Sequence, residues 1–344
     1  MRCGWSEYDH NLVSTEHISA IYRLEPGLIS GFIAWDRHHL QTAKGEKNPQ
    51  FPYEKFTTGR WNDLWNALKA IDCHFVLKVY CRGGTKLWSG DGYPKNSFID
   101  YIQHWLFKRP LWVPGTRWAS PGIGNMSGRL WPLDAAKSYG AFVKGFTKML
   151  RDDYDIITYL APWNEADLLV TTKSVLPGRT HEANKNKPWV VHAVGSERPL
   201  FSWSGGNLDI WQDVLKEAYQ SDATHVTTGG ILQPEWVKRT AKDVTMIDIH
   251  KYTPTVNEFI VGATKLVDLW DTHTDAELPI IVTETSVGGY SGGAPYNADA
   301  RTFMSDVKAA MYDVFGDRCK GITDHYNGHP NTYQSGIGDW WAYN

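Results

Sequence analysis

Ile157-Thr158-Tyr159-Leu160-Ala161-Pro162-Trp163-Asn164-Glu165 is the stretch on which the reading of this chain turns. An apolar run too short for a helix stops at a proline and delivers a carboxylate where a strand gives way to a loop. Pro279-Ile280-Ile281-Val282-Thr283-Glu284 repeats the arrangement much later in the chain. The interval leaves room for several strand and helix units, so the two glutamates belong to different strands of one sheet. They can still face one pocket.

Outward from these two runs, short apolar segments alternate with amphipathic segments of helical period, the pattern of parallel βα units. Strands are predicted over 28–35, 74–80, 156–163, 225–229, 244–252, 280–284 and 321–326. Helices are predicted over 61–71, 136–150, 208–219, 235–242, 256–270 and 298–315. An eighth strand has to come from 2–8, with 15–22 as its helix. The expected fold is therefore a (β/α)₈ TIM barrel in which residues 1–344 form one catalytic domain. Its ends look thin, and the expectation leans toward a natural chain that continues beyond these residues. Long stretches at 82–135 and 166–206, rich in Gly, Pro, Trp and Lys, follow predicted strands and are expected to shape a cleft.

Composition narrows the function. The 344 residues are 42% hydrophobic and carry a net charge of −3, which provides no basic field for nucleic acid or an anionic membrane. No apolar run approaches the length of a membrane span. The start lacks a basic region followed by an apolar stretch, which leaves secretion and cytoplasm both open. Four cysteines, Cys3, Cys73, Cys81 and Cys319, are too scattered for a disulfide framework and are expected free and buried. The count of 17 Trp is high. Many fall in predicted loops, among them Trp35, Trp88, Trp112, Trp118, Trp131, Trp163, Trp203, Trp340 and Trp341, and suit a surface that stacks on sugar faces.

Two carboxylates at strand ends suit cleavage of a glycosidic bond, which needs a proton for the departing oxygen and a carboxylate against the anomeric carbon. Glu165 and Glu284 can divide that work. A negative Glu284 would raise the pKa of a neighbouring Glu165 and keep it protonated. The Asn-Glu dipeptide alone carries little weight, since Asn257-Glu258 repeats it in the first turn of a predicted helix. Other strand ends are polar in a compatible way. In Ile247-Asp248-Ile249-His250-Lys251-Tyr252 the alternation puts Asp248, His250 and Tyr252 on one face, from which His250 and Tyr252 could orient Glu284. Trp35-Asp36-Arg37-His38 and Asp324-His325-Tyr326-Asn327 end two more strands and offer Trp35, Arg37, His325 and Tyr326 to sugar hydroxyls. A uronic acid would want a cation, for which Arg37, Lys78, Arg82 and Lys251 are available.

Together these residues resemble clan A of the glycoside hydrolases, (β/α)₈ barrels with an Asn-Glu acid/base after strand four and a Glu nucleophile after strand seven. The resemblance implies that Glu165 is the acid/base, Glu284 the nucleophile, Asn164 a ligand of the sugar 2-hydroxyl, and the mechanism retaining. Trp163-Asn164-Glu165-Ala166-Asp167 and His250-x-Tyr252 are similar to the β-xylosidase and α-L-iduronidase family. Thr283-Glu284-Thr285-Ser286, with Gly292-Gly293-Ala294-Pro295, is similar to the heparanase and β-glucuronidase family. Ala166 departs from the Pro of many members, and the Trp often found after strand eight is replaced by His325 or Tyr326. No cofactor is implied. The expected partner is a carbohydrate, and oligomeric state is left open. Two other readings stand beside this one. A metal-dependent barrel hydrolase is prompted by 13 His, although none shows the close early spacing such sites need. A carbohydrate-binding barrel without catalysis is the other.

Overall fold

The computed structural model describes residues 1–34, 38, 50–80, 135–162, 164, 215–232, 234–286 and 298–325. Eight strands are present: β1 Arg2–Tyr8, β2 Leu28–Ala34, β3 His74–Tyr80, β4 Thr158–Ala161, β5 His225–Val226, β6 Ile247–His250, β7 Ile280–Thr285 and β8 Cys319–His325. All pairings are parallel, in the order β5-β4-β3-β2-β1-β8-β7-β6. The segment 2–8 is thus a full strand, flanked by β2 and β8, and it links the first and last units of the chain.

The ring closes at a seam where ordinary ladder bonds are few. Thr227 bridges Met246 in parallel, Thr228 N donates to Met246 O at 3.1 Å and Thr245 N to Val226 O at 2.8 Å. Threonine hydroxyls complete it: Thr245 Oγ1 accepts from Val226 N at 2.9 Å and Thr228 Oγ1 from Asp248 N at 2.8 Å. Side chains therefore stand in for backbone carbonyls here. For this reason β5 and β6 are shorter than the runs 225–229 and 244–252 read from the sequence.

Inside the barrel, Leu28, Val76, Tyr159, Ala161, Met246 and Ile281 form an apolar layer. Gly321 belongs to this packing, since a Cβ there would lie 2.5 Å from Leu28 Cδ2. A far larger apolar cluster lies between the sheet and the helices. Helix Thr15–Leu24 begins with Ser14 Oγ accepting from His17 N, and buried His17 accepts from Trp5 Nε1 at 2.9 Å while its Nδ1 meets Leu12 O at 2.8 Å. Helix Gly59–Ala70 packs Trp61, Leu64, Trp65 and Leu68 inward, as its apolar period requires. The described tryptophans Trp5, Trp61, Trp65, Trp236 and Trp270 are all core residues. The loop tryptophans singled out for sugar stacking lie outside the described residues, as do 82–134, 166–206 and residues 208–214 of one expected helix. Cys3, Cys73 and Cys319 are free and buried, and Cys81 lies outside the described residues. Among the described residues, no helix is long and apolar enough to cross a membrane.

Candidate active site

Above the apolar layer, the C-terminal half of the barrel interior turns polar. Ile280, Ile281 and Val282 extend β7 as an apolar strand, after which its register shifts against both neighbours. Such a bulge re-aims the residues that follow it. The Thr283 carbonyl accepts from the Ser6 and Thr323 hydroxyls, each at 2.8 Å, and the next residue, Glu284, reaches the mouth of the barrel.

Glu284 is buried, with 4% of its surface exposed. Lys78 Nζ, from β3, donates to Glu284 Oε1 at 2.7 Å, and the Tyr252 hydroxyl donates to Oε2 at 2.8 Å. His250 Nδ1 stands 3.7 Å from Oε1. Below, Thr283 Oγ1 donates to Asp248 Oδ1 at 2.6 Å, so its oxygen is free to accept from His250 Nε2 at 3.0 Å. Asp248 Oδ2 also lies 3.3 Å from His250 Nε2 and from Thr227 Oγ1. Two cationic side chains and two carboxylates therefore share one sealed layer, in which each charge needs its counterpart.

The electrostatics follow from that packing. Burial alone would push the Glu284 carboxyl up, but His250, Lys78 and His325 outweigh it and hold the group well below the usual carboxylate range. Burial would lower His250, yet the negative Glu284 and Asp248 overcome burial and the Lys78 charge, raising it to about 10. Burial lowers His325 to about 4, with Lys78 and His250 acting in the same direction against Glu284. Near neutral pH the site thus holds an anionic Glu284, an imidazolium at His250 and a neutral imidazole at His325.

Of the residues expected from the sequence, Glu284, His250, Tyr252 and His325 are brought together. Tyr252 is hydrogen-bonded to Glu284 and His250 stands beside it, on the common face that the alternation along 247–252 gives them. His325 is buried, its ring 6.1 Å from that of Tyr252 and 5.4 Å from that of Phe32. Asn164 follows β4, is buried, and its Oδ1 has no partner among the described residues. The strand end before it is held by the Tyr139 hydroxyl, which donates to Pro162 O at 2.6 Å. Glu165, Trp163, Trp35, Arg37 and Tyr326 lie outside the described residues. His38, which closes the run Trp35-Asp36-Arg37-His38, turns inward. Its Nε2 lies 2.8 Å from Asp9 Oδ2, and its ring packs on Phe56 and Trp61. Lys78, offered as a cation for a uronic acid, is fully buried and paired with Glu284.

The sequence reading missed Phe32 and Tyr8, and it named Lys78 without its partner. Lys78 stands on the inward parity of His74-Phe75-Val76-Leu77-Lys78-Val79-Tyr80, the signal that points to a buried counter-charge. Phe32 lies beneath it, with Lys78 Nζ 4.7 Å from the ring centroid, and Tyr8 stacks on Phe32 at 4.8 Å. Their parity marks them as inward-facing, but apolar residues on a strand carry no sign of facing a mouth rather than a core. Among the described residues, no group of three or more His, Cys, Asp or Glu could hold a metal ion.

Neither a protein-family model nor a curated protein matches the sequence. Solved structures do match it. A GH5-4 broad specificity endoglucanase from an uncultured bacterium aligns over 96% of this chain and 84% of its own, at 12% identity and a TM-score of 0.52. An endo-1,4-β-xylanase from Caldicellulosiruptor owensensis aligns over 95% and 85%, at 11% identity and 0.50. A glucosidase from Croceicoccus marinus aligns over 94% of this chain and 57% of its own, at 6% identity and 0.50. The chain shares the barrel fold of these glycosidases.

Proposed function

We propose that this chain, residues 1–344 acting as one catalytic domain, is a retaining glycoside hydrolase that cleaves β-linked O-glycosidic bonds in oligo- or polysaccharides. The observation that carries the reading is Glu284: a buried carboxylate, kept ionised by His250 and Lys78 and hydrogen-bonded by Tyr252, at the C-terminal end of a barrel strand. Catalytic groups of such barrels occupy that face. Glu284 is the nucleophile and Glu165 the acid/base. In the closed ring β4 and β7 are separated by β5 and β6, so side chains from their ends can approach a sugar from opposite sides. A retaining enzyme needs the two carboxyl groups about 5 to 5.5 Å apart.

In the first step Glu165 gives its proton to the departing oxygen while Glu284 attacks the anomeric carbon. In the second, Glu165 takes a proton from water as that water displaces Glu284. The Oδ1 of Asn164, without a partner among the described residues, suits a sugar hydroxyl. Trp163, Trp35, Arg37 and Tyr326 remain candidates for the sugar site. Two neighbours in fold are named as an endoglucanase and an endo-1,4-β-xylanase, which favours a β-1,4-linked chain as substrate class. A barrel that only bound sugars would have no use for an ion-paired carboxylate sealed beneath its own mouth.

The test is a screen of aryl β-glycosides with the product anomer followed by NMR. Retention is expected, and Glu284→Gln should lower kcat by about a thousandfold or more. Undiminished hydrolysis by that variant removes the assignment.

A further inference from the structure

We infer that Lys78 is a positioning residue that gives the two oxygens of Glu284 different tasks, fixing Oε1 toward the barrel interior and leaving Oε2, beside Tyr252, as the attacking atom. The inference rests on the reading of Glu284 as nucleophile. Lys78 is wholly enclosed, held at 2.7 Å from Oε1 and 3.5 Å from the Thr283 carbonyl, with the Phe32 ring beneath it. Tyr252, on the other oxygen, is only half-buried. One oxygen is therefore tethered in the protein interior and the other lies on the side of the opening.

The consequence lies in the second half of the reaction. When an electron pair of Oε2 forms the bond to the anomeric carbon and the glycosidic bond breaks, with its oxygen taking the proton of Glu165, Glu284 becomes an ester and Oε1 its carbonyl oxygen. When water bonds to the anomeric carbon and yields its proton to Glu165, the pair returns to Oε2. The restored carboxylate charge then spreads onto Oε1. Lys78 meets that charge without moving and without exchanging a proton, so it favours departure of the carboxylate and opposes its attack. A preorganised charge of this kind works best away from water. Other groups facing Glu284 are His250 and Asp248 from β6, Tyr252 after it, and His325 from β8. Among the described residues, His250 is the second cation near Oε1, but its Nδ1 stands at 3.7 Å where Lys78 Nζ is hydrogen-bonded at 2.7 Å.

The experiment uses Lys78→Met and Lys78→Gln with an aryl glycoside bearing a good leaving group, after melting curves establish folding. In either variant the acid limb of kcat/KM should move up by about one pH unit or more. Turnover should fall at least about tenfold, with kcat losing more than kcat/KM. A pre-steady-state burst and a glycosyl-enzyme mass on Glu284 should accumulate. An unmoved limb with no burst overturns the inference, as does a loss of activity that only parallels a loss of folded protein. If both variants fail to fold, Lys78→Arg serves: it keeps the charge but shifts the contact, so it should hold the limb and lower kcat, and native turnover in it also overturns the inference. Glu284→Ala with added azide separates the two assignments. Rescue as a glycosyl azide alongside kinetically silent Lys78 variants removes only the role of Lys78. Full activity of Glu284→Ala without azide removes the nucleophile and this inference together.

Discussion

Glu284 can sit almost out of water because its charge is answered on every side the structure describes, by Lys78 and Tyr252 on its oxygens and by His250 nearby. Hydrogen bonds to a charged group contribute more than neutral ones, about 1.5 to 3 kcal/mol. Tyr252→Phe removes the contact on the oxygen beside the opening while leaving the ring in place. It should reduce kcat about tenfold to a hundredfold with little change in the melting temperature. Equal losses in activity and stability would instead mean that the hydroxyl serves the fold. Glu284 was legible from the sequence because a carboxylate closing an apolar strand is conspicuous. Its partner on β3 was not, because which strand faces which across a barrel is decided by closure.

At the scale of elements, the bulge in β7 and the turn after β5 set the geometry of the layer. Gly230 has a φ of +80°, and a Cβ there would lie 2.3 Å from His250 Nδ1. Both the backbone conformation and the approach of the imidazole thus call for glycine. Gly230→Ala should cost about 1 to 3 kcal/mol of stability and displace His250. Its signature is a lower melting temperature together with reduced kcat, and native values for both would refute the close approach. Periodicity placed the helices at 15–22, 61–71 and 256–270 close to their observed positions, because one apolar stripe must face the sheet. It overestimated β4, β5 and β6, where ladder bonding covers only part of the run read as strand.

For the molecule as a whole, stability should peak near neutral pH. His17, His74 and His325 are held by burial at about 4, below the 6.5 of the free side chain. The folded state binds fewer protons there, so stability is full above pH 6.5 and declines as pH falls toward 4. Glu284, held low, adds to the loss in acid below its ordinary value of 4.5. His250 works in the opposite sense: raised to about 10, it contributes stability that is fully present below 6.5 and is lost as pH rises through 10. Melting temperatures from pH 4 to 10 should therefore trace a dome. A His250→Gln variant should lose much of the alkaline slope and retain the acid one. A flat profile above neutrality in the unaltered protein would contradict the charge assignment of His250.

Alternating apolar and amphipathic segments by themselves determined parallel βα units, because strands buried on both faces and helices buried on one leave different periodicities. The sequence also determined that Glu284, His250, Tyr252 and His325 stand at strand ends, since parity and chain direction are local properties. Only the tertiary structure decided that Lys78 neutralises Glu284, that Asp248 and Thr283 orient His250, and that His38 serves Asp9. Those pairings join residues far apart along the chain, and their distances exist only once the ring has closed.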